Sequence, residues 1–206
     1  MVGNAGAWGG NVASTLLRAH ILETSGEVVP WPVERFQYGY RASILKRESR
    51  VDERQPVVLK AEFSLHQGDR AALEARVAEM AAQRKVRQPP GASCGSVFKN
   101  PQGDFAGRLI ESAGMKGVAR GGAEISPVHA NFIVNRGQAT AADVRALIEL
   151  ARQQVQAQFG VTLDLEIQLI GRWPDLEPVL AMSADAWQET AGDEPSRAHR
   201  TTHDST

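Results

Sequence analysis

Two short runs hold most of the side chains that could do chemistry here: Gly95-Ser96-Val97-Phe98-Lys99-Asn100-Pro101, and further along His129-Ala130-Asn131-Phe132-Ile133-Val134-Asn135. In the first, a hydroxyl, an ammonium and an amide lie between Pro89-Pro90 and Pro101, the make-up of a loop that presents polar groups to a ligand. Serine is a poor acid in water, so Ser96 could donate a proton only if its surroundings polarise it, and Lys99 and the adjoining glycine backbone are the groups at hand. Taken alone, a serine after glycine in a proline-bounded loop is more often a turn or cap residue. A second candidate is Arg41 in Tyr38-Gly39-Tyr40-Arg41-Ala42-Ser43, where stacking can hold a planar guanidinium while its fork meets a carboxylate. The plainer reading is a surface arginine lying over Tyr40. Glu166 on the polar side of an apolar strand and His129 beside a strand are both ordinary structural placements as well as candidate acids or bases.

The elements that position these groups follow from periodicity. A glycine-rich loop, Asn4-Ala5-Gly6-Ala7-Trp8-Gly9-Gly10, could bring backbone amides close to a phosphate or a ring. Two short strands are expected between Val12 and Ile21 and at Glu27 to Pro30, and a third at Val57 to Leu65, where alternation places Val57, Leu59, Ala61, Phe63 and Leu65 on one face. Leu73, Val77, Met80 and Ala81 recur at helical spacing between Gly68 and about Val86, with Arg84, Lys85 and Arg87 complementing the negative end of the helix dipole. Phe105 to Ala113 reads as a short helix closed by Gly114, Ile125 and Phe132 to Val134 as strands, and Thr140 with Asp143 as the capping box of a helix ended by Gly160. A final strand is expected from Val161 to Ile170, with Val161, Leu163, Leu165, Ile167 and Leu169 on one side and Glu166 on the other. This order of elements is α+β.

Composition narrows the function classes. The 206 residues are 42% hydrophobic, enough for one sizeable core or two small ones, and no apolar run approaches the roughly 20 residues needed to span a bilayer. The start lacks the basic and apolar parts of a signal peptide, so a cytoplasmic protein with no membrane contact is expected. A single cysteine, Cys94, excludes an internal disulfide, and no metal site is expected. The net charge of -1 is uneven: residues 174–206 carry seven acidic side chains against Arg197 and Arg200, leaving a mildly basic body. That balance suits an anionic small substrate and is too weak for a nucleic-acid binder. From about Ala184 the composition predicts an unstructured tail.

Several separate segments, in order, resemble the UDP-N-acetylenolpyruvoylglucosamine reductase family. They are Asn4 to Ala7 with Gly9-Gly10, Gly39 to Ser43, Gln88-Pro89, the Ser96 loop, Ala106-Gly107 with Leu109 to Glu111, Ala113 to Gly117, the His129 run, Ala139 to Ala141 with Asp143-Val144, and Glu166 with Ile170-Gly171. The resemblance implies a partial FAD-binding subdomain over residues 1–66, a linking helix and loop over 67–92, a C-terminal α+β substrate-binding domain over 93–173 and an acidic tail over 174–206. In this family NADPH reduces a bound FAD, whose hydride then reaches the enolpyruvyl group of a UDP-sugar and leaves an enolate-like intermediate. Transferred by position, Ser96 would protonate that intermediate, Arg41 would hold its carboxylate and Glu166 would help polarise it. Tyr40, Lys99 and Asn100 would contact the substrate, and Asn4, Ala5, Gly6 and Ala7 would line the flavin. The short link to Pro90 and the His129 run resemble the compact branch of the family. Family members carry a further α+β segment with a glycine-rich phosphate turn before the Asn4 loop, so an N-terminally shortened form is expected. Two functions follow: a reductase making UDP-N-acetylmuramate for peptidoglycan, or a non-catalytic remnant that binds the UDP-sugar without retaining FAD.

Overall fold

A computed structural model describes residues 1–47, 54–171 and 173; the predicted acidic tail lies outside the described residues. The described chain divides into two compact units, Met1–Gln83 with Gln168–Trp173, and Arg84–Ile167. The first opens with a two-residue hairpin, β1 (Gly6–Ala7) against β2 (Gly10–Asn11), and continues into an antiparallel sheet of β3 (Leu16–Leu22), β4 (Val28–Pro32) and β5 (Val57–Phe63) in the order β4-β3-β5. The two early strands thus form where β-branched and apolar residues predicted them. Leu16, Ala19 and Ile21 from β3 meet Trp31, Phe36 and Leu45, the last on the one-turn helix α1 (Ile44–Arg47), in a small core. There Phe36 sits edge-on to Trp31 and stacks on Tyr38 at 5.2 Å between ring centroids.

One expectation fails in this unit. The single apolar face read into Val57 to Leu65 does not form, because β5 stops at Phe63 and its register slips opposite His20 and Ile21. Past a bulge the alternation restarts on the other face, so Val58 and Ala61 pack toward the core while Val57, Leu59 and Phe63 are exposed. The helix α2 (Arg70–Arg87) does form, started by the Asp69 carboxylate accepting from the Ala72 N–H and ended by Arg84, Lys85 and Arg87. In its apolar stripe Leu73 and Val77 are exposed and Met80 is half-buried, and α2 holds no fully buried residue. A helical period reports which face is apolar and not whether a partner covers it.

The second unit is a four-stranded antiparallel sheet in the order β6-β9-β8-β7, from β6 (Ala92–Ser96), β7 (Ala119–Arg120), β8 (Ala123–Ile125) and β9 (Phe132–Asn135). Helix α3 (Ala106–Ser112) ends as expected at Gly114, whose N–H reaches the Glu111 carbonyl while Met115 reaches Ile110. Helix α4 (Ala141–Phe159) carries the full capping box of Thr140 and Asp143 and stops at the left-handed Gly160. It buries Ala146, Leu147, Ile148, Leu150, Ala151 and Val155. The predicted strand from Val161 to Ile170 is replaced by a single bridge, Phe98 to Leu165, although Leu163 is fully buried. Leu163 anchors this segment and only its middle reaches a neighbour, so the apolar alternation outruns the ladder. Among the described residues no helix is long and apolar enough to cross a membrane, and no cluster of three or more His, Cys, Asp or Glu could hold a metal ion.

Candidate functional site

Candidate residues gather in two cavities, one within each unit. The first, about 530 Å³, is lined by the β1–β2 hairpin and the Tyr38 to Arg41 loop. Asn4 joins these two pieces. Its side chain is buried, its Nδ2 donates to the Gly39 carbonyl at 3.1 Å, and its Oδ1 accepts from the Ala13 N–H at 3.0 Å. Both polar ends of Asn4 are therefore spent on backbone, making it a strut of the cavity wall. Arg41 donates from Nη2 to the Gly6 carbonyl at 3.0 Å and lies 5.4 Å from the centroid of the Tyr40 ring, the stacked arrangement its neighbours predicted. A side chain at Gly6 would press on the Gly10 carbonyl and on the Arg41 guanidinium, so only glycine lets the hairpin and the arginine come this close. Asn4, Trp8 and Arg41 are three of the four non-glycine residues with positive φ among the described residues, and all three line this cavity. Backbone strain concentrated at one concavity is a mark of a site held against its local preference. Of the four residues expected at the flavin, Asn4, Gly6 and Ala7 line this cavity, whereas Ala5 is not among the lining residues and its carbonyl accepts from the Val12 N–H.

The second cavity, about 430 Å³, is lined by Ser96, Asn100, Arg108, Glu111, His129 and Asn131 among others. Asn131 ties the two opening runs together. Its buried amide accepts from the Phe98 N–H at 2.9 Å and donates to the Phe98 carbonyl at 2.8 Å, while its own carbonyl accepts from the Val97 N–H. One side chain thus replaces a strand neighbour exactly where the chain leaves β6, which frees Ser96 to sit at the cavity edge.

From the other side the Glu166 N–H donates to the Val97 carbonyl at 2.8 Å and the Lys99 N–H to the Asp164 carbonyl. These bonds bring Glu166 next to the residue that follows Ser96. Asn100 caps α3, accepting from the Ala106 N–H at 3.1 Å, and Lys99 is half-buried outside the cavity lining.

The His129 ring accepts the Asn131 N–H at Nδ1, which fixes a neutral imidazole with its proton on Nε2. Burial and the Lys116 cation lower its pKa, in agreement with a neutral ring. Ser126 shapes the turn before it by accepting from the Val128 and His129 N–H groups. Arg108, clamped by Asp104, adds a cation to the lining, and Asp104 is held far below the usual carboxylate range, at about 2. Sequence reasoning passed over Asn131 and Arg108. An amide directly before the apolar run of Phe132 to Val134 was the available signal for the first, and the Asp104 to Arg108 helical spacing for the second.

Residues 85–170 match the family model described as UDP-N-acetylenolpyruvoylglucosamine reductase, C-terminal domain. The chain is 57% identical over 170 residues to the UDP-N-acetylenolpyruvoylglucosamine reductase of Chloroflexus aggregans, a match covering 82% of this chain and 57% of that relative. With the reductase of the same name from Geobacillus kaustophilus it shares 43% identity over 169 residues, 82% of this chain and 54% of the relative. The crystal structure of UDP-N-acetylenolpyruvylglucosamine reductase from Thermus caldophilus aligns with a TM-score of 0.69 at 35% identity, over 82% of this chain and 58% of that one. The chain spans little more than half the length of the relatives it matches.

Proposed function

The chain belongs to the UDP-N-acetylenolpyruvoylglucosamine reductase family, and on that premise we propose that it serves an FAD-dependent, NADPH-using reductase making UDP-N-acetylmuramate from UDP-N-acetyl-3-O-(1-carboxyvinyl)-glucosamine. In this reading residues 93–173 form the substrate-binding domain and residues 1–66 part of the flavin domain. The observation that carries it is the pairing of Glu166 with Val97 beside Ser96, at the rim of a cavity that also offers Asn100 and Arg108.

The glycine-lined cavity of the first unit fits a flavin, since Gly6 keeps its wall free of side chains and its volume lies in the range of ligand pockets. When bound, FAD reduced by NADPH supplies a hydride to the terminal carbon of the enolpyruvyl group. The remaining work falls to the protein. Arg41 holds the substrate carboxylate, into which the negative charge spreads, with a fork that Gly6 and Tyr40 already orient. Ser96 gives its hydroxyl proton to the carbon beside that carboxylate, and Glu166 polarises the same intermediate. Tyr40 and Asn100 contact the sugar nucleotide, with Lys99 adding charge, and Arg108, on the lining of the second cavity, supplies a cation for its diphosphate.

Single-turnover measurements on the FAD-loaded chain test this assignment. Ser96→Ala is expected to leave flavin reduction by NADPH near normal and to slow reoxidation by substrate about 100-fold or more. Equal losses in the two half-reactions would remove Ser96 from the proton-donor role. A second reading, a UDP-sugar binder that does not retain FAD, draws support from the thin packing of the first unit, which leaves Val57, Leu59 and Phe63 of β5 exposed around a core of six buried residues. A yellow preparation with bound FAD rules that reading out, and a colourless one that binds no added FAD establishes it.

A further inference from the structure

The tip of the β1–β2 hairpin is made by Trp8 and Gly9, both at positive φ, +55° and +82°. Two central residues at positive φ are the signature of a type I′ turn, whose first place goes by preference to Asn, Asp or Gly. A bulky L-residue there is strained. Nothing in the fold offsets that strain. Trp8 lies outside the core, is 43% exposed, and makes no ring contact or side-chain hydrogen bond among the described residues. What Trp8 does have is a place among the residues that line the 530 Å³ cavity, with the exposed Tyr40 and with Arg41. A strained and solvent-facing aromatic at a concavity where half of the lining residues are glycine or alanine is explained by a ligand that it covers.

We propose that Trp8 is a specificity-determining contact that stacks its indole on a planar heterocycle of the flavin nucleotide bound in this cavity. The inference rests on the flavin reading given above. It adds that the hairpin gives up local stability for a ring contact. Substitutions at position 8 should therefore move fold stability and ligand affinity in opposite directions, which a structural residue could not do.

The test titrates the full chain with FAD, following flavin fluorescence, beside thermal melts of the flavin-free protein. Trp8→Asn, which suits the turn, is expected to melt at the same temperature as the parent or higher while binding FAD about fivefold or more weakly. Trp8→Phe, keeping a ring in the same strained place, should lose only about twofold. FMN and ADP in place of FAD locate the ring: the Trp8→Asn penalty follows FMN if the indole covers the isoalloxazine, and ADP if it covers the adenine. If the parent binds FAD and Trp8→Asn binds it equally well, or melts lower, Trp8 is a structural residue and this inference fails while the flavin reading stands. If the parent binds no FAD, the flavin reading falls and takes this inference with it.

Discussion

The two cavities are built on opposite economies. Around Ser96 the wall is a by-product of a well-filled fold: α3, α4 and β8–β9 bury their apolar faces, and a buried amide, Asn131, fixes the chain where it leaves the sheet. Around Arg41 the core is six buried residues, and the site stands on a two-residue hairpin, a strained loop and the strut Asn4, while Leu17, Val57, Leu59 and Phe63 remain exposed on the same unit. The lesson is that geometry can be held by packing or by a few polar ties. Packing spreads the load over many residues, whereas polar ties concentrate it.

Three substitutions probe that contrast. The largest effect is expected from Asn131→Ala, which strands both backbone groups of Phe98 in a dry site; urea melts should show a loss of about 2–4 kcal/mol confined to probes in the second unit. A loss under about 1 kcal/mol would mean that packing alone holds the Ser96 loop. Asn4→Ala should cost less overall, about 1–2 kcal/mol, yet loosen the first cavity more, read as faster hydrogen exchange at Ala13 and Arg41 with no change in the second unit. Unchanged exchange there would refute the view of Asn4 as the strut.

The smallest effect concerns His129. Its pKa is lowered in the folded state, so below the ordinary value of 6.5 the unfolded chain takes up the proton first. The stability tied to the neutral ring is thus present above pH 6.5 and lost as the pH falls through the lower folded value. Melting temperature should drop between about pH 7 and 5, and His129→Gln should flatten that slope. An equal slope in the variant would assign the pH dependence to other groups.

What could be read from the sequence was the local part. Thr140 with Asp143, Gly114 and Gly160 set helix ends through bonds spanning a few residues, and all three behave as their types predict. The apolar alternation of residues 57–65 and 161–170 misled for one reason. A side-chain pattern says nothing about where a bulge resets the count or where a partner strand ends. Of the candidates in the sequence runs, Ser96, Asn100, Tyr40 and Arg41 line cavities, while Lys99 and Glu166 are not among the lining residues. The supports of the site were not legible, because Asn131 reaches back 33 residues to Phe98 and Asn4 forward 35 to Gly39, distances at which no local rule operates.

The slip in β6 has a last consequence. Ser93 faces Val134 and Ser96 faces Phe132, three steps on one strand against two on the other, with Gly95 at φ +78° between them. A strand sorts its residues by parity, odd to one side and even to the other, and this is the point where the parity is rewritten. Space is not the constraint, for a side chain at Gly95 would meet no atom within 4 Å. The constraint is a torsion. Which side of the sheet the serine faces is thus decided by the handedness of a neighbour that has no side chain of its own.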